Sequence, residues 1–201
     1  MKLDRKPRPQ LSLAPDAPTL ARGRVHEATG PASLVFAALV ARKLEGPIIW
    51  ARPAWARSSL NPEGLSALFD PARLVVVHAP RPLDILWTAE EALRSGAAPL
   101  VVAEPVEPAA LTPLRRLQLA AEAGGGAGSG PPPLGLLLPP RSGVAGAIES
   151  RWMCEPTPSW RAAQEARWRF SRIYAKAGPP SVWETGVAAL SREESVRRKV
   201  A

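Results

Sequence analysis

Apolar residues in the central part of the chain fall into short blocks, separated by longer segments whose apolar positions recur with helical spacing. The apolar block 74–77 is typical of a strand covered on both faces. Strands that alternate with helices form a mostly parallel sheet with helices on both faces, so we predict an α/β fold. The predicted strands are 24–27, 47–51, 73–78, 100–103 and 134–138, and the predicted helices are 31–44, 61–69, 83–95 and 112–123.

Two of the predicted helices should meet the sheet in different ways. The side chains of 31–44 are apolar nearly all round, which indicates a buried helix, and Gly46 follows its end. In 83–95 the apolar positions recur along one side, which we predict to face the sheet. These positions are Leu83, Leu86, Trp87 and Leu93.

The pattern changes in the last third of the chain. The segments 147–155, 166–176 and 181–184 predict strands with no helix between them. We therefore expect an antiparallel C-terminal extension beside the parallel sheet. The glycine-rich stretch 124–130 predicts a flexible joint before the strand 134–138.

Charge is distributed unevenly over the 201 residues, whose formal net charge is +8. Residues 1–24 carry six Lys or Arg and two acids, 25–150 carry ten and eleven, and 151–201 carry ten and five. Together with the proline content, this predicts a disordered basic arm over 1–22 and a basic tail over 186–201. Basic ends favour contact with phosphate backbones or an acidic partner, and a purely solubilising role explains them equally well.

The rare residues limit the compartment and the metal chemistry. A single cysteine, Cys154, excludes a disulfide framework and is typical of a reducing cytoplasm. No secretory leader is recognisable, and the longest apolar run, 34–41, is less than half a membrane span. We expect a cytoplasmic protein without membrane contact. Neither His26 nor His78 has a cysteine nearby, so we predict structural roles for both and no zinc site.

The turn after the first predicted strand lies where a nucleotide-binding domain holds phosphate. A phosphate loop reads G-x-x-x-x-G-K-[ST], because glycines let backbone N–H groups surround the phosphates, lysine neutralises them and the hydroxyl holds Mg²⁺. Residues 27–34 read E-A-T-G-P-A-S-L, with one glycine and no lysine. The next basic residues, Arg42 and Lys43, follow about two to three helical turns later. The turn therefore predicts no phosphate grip and no cofactor.

Several segments together resemble a known family. A helix ending in E-A-L-R-S-G at 91–96 leads into L-V-V-A-E at 100–104, which resembles the centre of a RecA-type core. The helix L-Q-L-A-A-E-A-G at 117–124 and the hairpin with R-W-R-F at 167–170 and S-V-W-E at 181–184 narrow the resemblance. The chain resembles the ImuA family, the RecA-like accessory proteins of the bacterial damage-inducible mutagenesis cassette. The resemblance implies a degenerate RecA-like domain over 23–185, with the antiparallel extension at its C-terminal end.

The resemblance also implies that the ATP chemistry of a RecA core is missing. Arg52 stands where the family's water-activating glutamate is expected, and Ala103 stands at the position of the metal-ligating aspartate, with Glu104 one place late. Side chains alternate faces along a strand, so Glu104 would point the wrong way. Pro139 and Pro140 stand where the polar sensor is expected, and only Lys176 has a counterpart, the hairpin lysine that reaches the neighbouring subunit's nucleotide. We predict no catalytic residue, no ATP hydrolysis and at most weak nucleotide binding.

The candidate binding residues are basic or aromatic. The loop 139–147 falls where a recombinase contacts DNA, and the predicted DNA-contacting residues are Arg141, Lys176, Arg192, Arg197, Arg198 and Lys199. Tryptophan is favoured both in cores and at binding hot spots. We predict core packing for Trp50 and Trp87. For the C-terminal extension core and partner-binding roles both stay open, and the candidate partner-binding residues are Trp152, Trp160, Trp168 and Trp183.

The ImuA resemblance implies a non-catalytic adaptor in SOS-induced, error-prone translesion synthesis. Its expected partners are ImuB, a polymerase-like scaffold, an error-prone replicative-type DNA polymerase, and RecA, with DNA contact through the basic ends near the nucleoid. Two alternatives stay open. One is a nucleotide-dependent ATPase whose displaced site uses Glu104, Glu107 and Arg52, and the other is a general basic DNA-binding module.

Overall fold

A computed structural model of the chain describes residues 8–15, 17–127, 130–143, 146–157 and 166–186. These residues form an eight-stranded central sheet with helices on both faces, and a separate two-stranded ladder. The predicted α/β class with a mostly parallel central sheet is confirmed. Within the described residues, no helix has the length and apolar character needed to cross a membrane.

The described part of the N-terminal arm is folded onto the core. Strands β1 (Gln10–Leu11) and β2 (Leu20–Ala21) pair in antiparallel fashion. Leu13 and Leu20 are buried in the same cluster as the first long helix. The prediction of a disordered arm over 1–22 is therefore wrong for residues 8–15 and 17–22, because leucines between the prolines supply enough apolar surface to anchor them.

Six strands among the described residues run parallel to one another. Along β6 Leu100 and Val102 face one side of the sheet while Val101 and Ala103 face the other, so both faces of this strand are buried. The six strands are β3 (Arg24–Thr29), β4 (Ile48–Pro53), β5 (Leu74–Ala79), β6 (Leu100–Ala103), β7 (Leu134–Leu137) and β8 (Ser150–Pro156).

An antiparallel hairpin completes the sheet, with β9 (Arg167–Ala175) on β8 and β10 (Ser181–Gly186) outermost. The full strand order is β10-β9-β8-β3-β7-β6-β4-β5. The three C-terminal strands pair in antiparallel fashion as predicted, and β8 also joins the parallel sheet through β3. The prediction for 73–78 is wrong, because β5 is an edge strand with exposed Val75 rather than a strand covered on both faces.

The helices begin and end at recognisable signals. α1 (Ser33–Arg42) and α2 (Pro62–Ser66) come first, and Asn61 Oδ1 caps α2 by accepting from Glu63 N at 3.1 Å. α3 (Pro82–Ser95) ends at Gly96, whose φ of 65° is left-handed. α4 (Leu111–Ala127) continues through the predicted joint at 124–126.

The glycines of α4 have a packing role. A Cβ on Gly124 would lie 2.0 Å from the carbonyl oxygen of Leu93 in α3. Only glycine lets the two helices approach this closely, so the stretch that predicts a joint is instead a helix contact.

The core has two halves, one on each face of the sheet. On the first face α1 and the N-terminal ladder cover an aromatic cluster in which Phe36 lies 5.0 Å from Trp152 and 5.2 Å from Phe170, centroid to centroid. On the second face α3 and α4 cover Val25 and Val101. The hairpin continues the first half, since Trp183 stacks near Phe170 at 5.3 Å.

Candidate functional site

The turn between β3 and α1 lies at the carboxyl edge of the parallel strands, where open α/β sheets bind their ligands. Gly30 adopts a φ of 96°, which favours glycine. The amide of Ala32 donates to the carbonyl oxygen of Cys154 at 3.1 Å, and the amide of Ser33 donates to that of Gly30 at 3.1 Å. Two of the amides that would face a phosphate in a nucleotide-binding turn are thus paired with the protein's own carbonyls.

Strand β8 closes the turn from the side. A Cβ on Gly30 would lie 2.4 Å from the carbonyl oxygen of Cys154 and 3.1 Å from Sδ of Met153. The main chain of β8 is therefore in direct contact with the turn. Arg42 and Lys43, the basic residues that follow the turn in sequence, lie at the other end of α1.

Glu104, one place after the strand that would bear a metal ligand, is held by two neighbours on β4. Its Oε1 accepts from Trp50 Nε1 at 2.6 Å, and its Oε2 accepts from Arg52 Nη2 at 3.1 Å. The sequence alternative placed Arg52 and Glu104 together, and the structure does so, whereas Glu107 is exposed. A divalent cation would have to compete with a buried guanidinium for this carboxylate. Nε of Arg52 is itself buried without an acceptor among the described residues.

A second buried ion pair stands in the middle of the carboxyl edge. Glu27 on β3 pairs with Arg151 on β8, its neighbour in register. Oε1 of Glu27 also accepts from the amide of Gly143 at 3.4 Å, and Thr29 Oγ1 lies 3.4 Å from Ser142 Oγ. These contacts anchor the loop that follows β7, which is the loop predicted to meet DNA.

His26 links the N-terminal ladder to β8. Its Nε2 lies 3.0 Å from the carbonyl oxygen of Ala21, and its Nδ1 lies 2.6 Å from Ser150 Oγ. Burial lowers the pKa of His26 to about 4, so the ring is neutral near pH 7, and the acceptor at Ala21 assigns its proton to Nε2. Ser150 Oγ also accepts from Trp152 Nε1 at 2.8 Å. These contacts fit the structural role predicted for His26.

The predicted DNA-contacting residues do not converge. Arg141 is exposed at the carboxyl edge. Lys176 follows β9, which is antiparallel to β8, and therefore lies at the opposite edge, where its Nζ is 3.9 Å from Glu149 Oε2. The predicted tail residues Arg192, Arg197, Arg198 and Lys199 lie outside the described residues.

For the tryptophans of the extension, core packing and partner binding were both open, and the structure decides two of the four. Trp152 and Trp183 are buried in the aromatic cluster, so the partner-binding role considered for them is replaced by core packing. Trp168 is partly buried against the same cluster. Trp160 lies outside the described residues.

The most exposed apolar group on the helices was missed by sequence reasoning. Trp87 is 60% exposed and Leu83 is 77% exposed, although both were predicted to face the sheet. The sheet-facing residues of α3 are Ile85, Ala89 and Leu93. Leu83 and Trp87 recur at the same helical spacing as this buried row, so periodicity alone does not separate the two faces.

Leu83 and Trp87 border a groove of about 770 Å³ between α3 and α4. Leu86, Pro113 and Leu117 also line the groove. We name this surface the α3–α4 groove. Among the described residues, no group of three or more His, Cys, Asp or Glu side chains is arranged to hold a metal ion.

Ion pairs border the α3–α4 groove and tie its two helices together. Glu90 of α3 pairs with Arg116 of α4, Oε2 to Nη2, at 2.9 Å, and with Arg94 in its own helix. Burial raises the pKa of Glu90, but hydrogen bonds from Arg94 and Arg116 outweigh it, and the net pKa is lowered. At the start of α3, a hydrogen bond from Arg81 lowers the pKa of Asp84.

No protein-family model matches the chain, and no curated protein matches it at a significant level. Among solved structures, the chain is similar to the crystal structure of SulA from Pseudomonas aeruginosa, with 23% sequence identity and a TM-score of 0.44. The similarity covers 59% of this chain and 98% of that chain. A likeness of this degree identifies neither a family nor an activity.

Proposed function

We propose that the chain is a non-catalytic, RecA-like adaptor of SOS-induced, error-prone translesion DNA synthesis. It joins an ImuB-type polymerase-like scaffold to an error-prone replicative-type polymerase, and it contacts RecA. The sequence resemblance to the ImuA family supports this role, and the mostly parallel sheet that ends in an antiparallel hairpin is compatible with it. In this proposal the protein acts in the cytoplasm, at the nucleoid after DNA damage.

The observation that carries the proposal is that backbone amides of the turn after β3 are already hydrogen-bonded within the protein. Phosphoryl transfer depends almost wholly on positioning the phosphates and stabilising their charge. Here the Ala32 amide donates to the carbonyl oxygen of Cys154, β8 lies directly against Gly30, and the turn itself contains no lysine. Glu104, one place after the expected position of the metal-ligating aspartate, is already hydrogen-bonded by Trp50 and Arg52. In this proposal the protein therefore acts through surface residues that bind partners, not through a nucleotide site.

Partner recovery tests the adaptor role. We expect the tagged full-length chain, purified after DNA damage, to bring down the ImuB-type scaffold together with the error-prone polymerase or RecA. The matched control is the same tagged chain from undamaged cells that express these partners at equal levels. Recovery of neither ImuB nor RecA from damaged cells contradicts the proposal.

DNA contact is a separate part of the proposal, and among the described residues its candidates are Arg141 and Lys176. Arg141 and Lys176 lie at opposite edges, so a single strand crossing both would have to span the sheet. We expect weak, salt-sensitive binding that Arg141→Ala and Lys176→Ala each reduce, measured by anisotropy of a labelled single strand. Tight binding without any protein partner favours the general DNA-binding module instead.

The alternative that a specific observation favours is a displaced nucleotide site at Glu104. The unpaired Nε of buried Arg52 is a donor that an anion would satisfy. A ligand at 100 times its dissociation constant stabilises a protein by about 2.7 kcal/mol, so a thermal shift with ATP and Mg²⁺ detects such a site. For an adaptor we expect no shift. Magnesium-dependent phosphate release that Glu104→Gln abolishes, and that Glu63→Gln at an exposed position of α2 leaves intact, would establish the ATPase.

A further inference from the structure

A polar cavity lies on the first face of the sheet, at the amino edge of the parallel strands and away from the turn after β3. Its volume is about 520 Å³, and it lies between the N-terminal ladder, the start of β8 and the turn that joins β9 to β10. We name it the ladder cavity. Clefts that enclose a few convergent polar groups are the usual binding sites of small molecules. The polar lining side chains are Gln10, Thr19, His26, Glu149, Ser150 and Arg172.

A β-bulge in β9 brings Arg172 to this face. Two neighbouring residues of β8 pair with Arg172 and Tyr174, so Ile173 is left out of the register. Arg172 shares the first face with Phe170, two residues earlier on the same strand, whereas Tyr174 packs against the core of the second face. In a regular strand Arg172 and Tyr174 would lie on one face. The bulge therefore separates them and directs the arginine to the ladder cavity.

Arg172 is a cation without a counter-charge in the part of the chain that the structure describes. Its Nη2 donates to the carbonyl oxygen of Pro179 at 2.8 Å, but its Nε is buried and has no acceptor there. None of the described acids forms an ion pair with it. A buried donor without an acceptor has a free-energy cost, which an anionic ligand would remove by accepting a charge-assisted hydrogen bond.

Glu149 also lines the cavity, but its charge is already compensated from outside the lining. Its Oε2 lies 3.6 Å from Arg24 Nε and 3.9 Å from Lys176 Nζ. Arg24 also pairs with Glu122, and Glu122 has a further partner in Arg8. These linked pairs join three cations to two acids, so Glu149 needs no help from the cavity and leaves the charge of Arg172 unmatched.

The turn between β9 and β10 holds the guanidinium of Arg172 in place. Gly178 of this turn has a φ of 88°, and a Cβ on it would lie 3.0 Å from Arg172 Nη2. The turn thus packs against one side of the guanidinium, while Nε stays without an acceptor. A donor that is fixed before the ligand arrives lowers the ordering cost of binding.

We infer that the ladder cavity binds a small organic anion, and that a carboxylate or phosphate oxygen of this anion accepts from Arg172 Nε. The volume is in the range typical of small-molecule sites. The hydroxyl of Thr19, the amide of Gln10 and the neutral ring of His26 offer polar contacts for the rest of the molecule. The inference goes beyond the adaptor function proposed above and does not rest on it.

The Nε–H signal of Arg172 in a proton–nitrogen correlation spectrum of the full-length chain tests the site directly, and its loss in Arg172→Lys assigns it. Inorganic phosphate and succinate are titrated separately, with chloride at matched ionic strength as the reference. We expect the signal to move and to saturate with at least one of the two oxyanions and not with chloride. Saturation with one alone identifies the preferred oxyanion. A response to both that equals the response to chloride overturns the inference.

Variants give an independent measure of affinity, through the rise in unfolding temperature that the saturating anion produces. Arg172→Gln removes the charge and should weaken the anion at least about tenfold. Arg172→Lys should recover part of the affinity, because it restores the charge without the Nε donor. The matched control is Arg169→Gln on the same strand, where the arginine is exposed and pairs with Glu184. Equal affinities of Arg172→Gln and Arg169→Gln overturn the inference, and the spectra of the unchanged chain decide the question if Arg172→Gln does not fold.

The outcome is separable from the other proposals. If the anion moves the Nε–H signal of Arg52 and leaves that of Arg172 unchanged, it binds beside Glu104, and the inference is overturned. If the Arg172 signal saturates while damaged cells yield neither ImuB nor RecA, the cavity stands and the adaptor role falls. If the partners are recovered and the Arg172 signal does not respond, the adaptor role stands and the cavity site falls.

Discussion

At the turn after β3, backbone and charged groups are paired with other groups of the protein, whereas at the α3–α4 groove large apolar side chains are exposed. Next to Gly30, a carbonyl of β8 takes the amide of Ala32, and buried side chains neutralise one another. On the outer side of α3, Trp87 is largely exposed within the part of the chain that the structure describes. Both regions belong to one sheet and its covering helices. The contrast is between a turn whose polar groups are paired within the protein and a groove whose apolar side chains are exposed.

The largest effect is expected when a charge is removed from the buried ion pair beside the turn after β3. Glu27→Gln leaves the guanidinium of Arg151 buried without its counter-charge, and we expect a loss of about 3–5 kcal/mol in the free energy of unfolding. Urea denaturation measures it. Arg169→Ala breaks the exposed hairpin pair with Glu184 and should cost no more than about 1 kcal/mol. Equal losses from the two variants would mean that the carboxyl edge is wetter than its burial implies.

A side chain on Gly30 tests the contact between the turn and β8. Gly30→Ala combines a left-handed backbone with a Cβ 2.4 Å from the Cys154 oxygen, so we expect a loss of about 3 kcal/mol or more. The matched control is Gly146→Ala, where φ is 109° and nothing lies within 4 Å of the new Cβ. That variant should pay only for backbone strain, about 1–3 kcal/mol. A smaller loss at Gly30 than at Gly146 would show that the turn opens readily.

Acid should lower the free energy of unfolding through His26 on β3. The pKa of His26 is lowered by burial from 6.5 to about 4 in the folded protein, so the unfolded chain binds the proton first as pH falls. Stability from this group is complete above pH 6.5 and is lost as pH falls toward 4, by about 3 kcal/mol in all. Thermal unfolding measured from pH 7 to 4 should show this slope, and His26→Gln should flatten it. His78→Gln, at an exposed position, should leave the slope unchanged.

The smallest expected effect on stability is that of truncating Trp87 at the α3–α4 groove. Trp87→Ala should change the free energy of unfolding by no more than about 0.5 kcal/mol, because the indole is already largely in water. The same urea titration measures it. A loss of several kcal/mol would place Trp87 in the core and remove the argument that the groove is a free surface.

Local signals in the sequence were sufficient for most elements of the fold. The strand over residues 100–103 follows from its apolar run, and the end of α3 follows from Gly96, which needs no knowledge of the rest of the chain. The N-terminal ladder could not be predicted, because strands of two residues have no periodicity. The helix contact at Gly124 also escaped prediction, since a glycine in a loop and a glycine in a close helix contact look the same in sequence.

Only part of the candidate site was predictable. The missing lysine is visible in the sequence and Arg52 was grouped with Glu104, but the contact of Trp50 with Glu104 depends on the register of β4 against β6. The pairing of Glu27 with Arg151 depends in the same way on β8 lying beside β3. The exposure of Trp87 depends on which side of α3 meets the sheet, and two rows of similar residues compete for that side.

The position of β8 beside β3 has a consequence for biosynthesis. Glu27 and Arg151 are 124 residues apart in the chain, so the first long strand gains this neighbour only after most of the polypeptide has left the ribosome. Such distant pairings slow folding, because a long loop must close before any contact compensates its entropy. A nascent chain halted before residue 150 would hold β3 with one edge unpaired and Glu27 without its counter-charge, and such a chain is a substrate for chaperones and proteases.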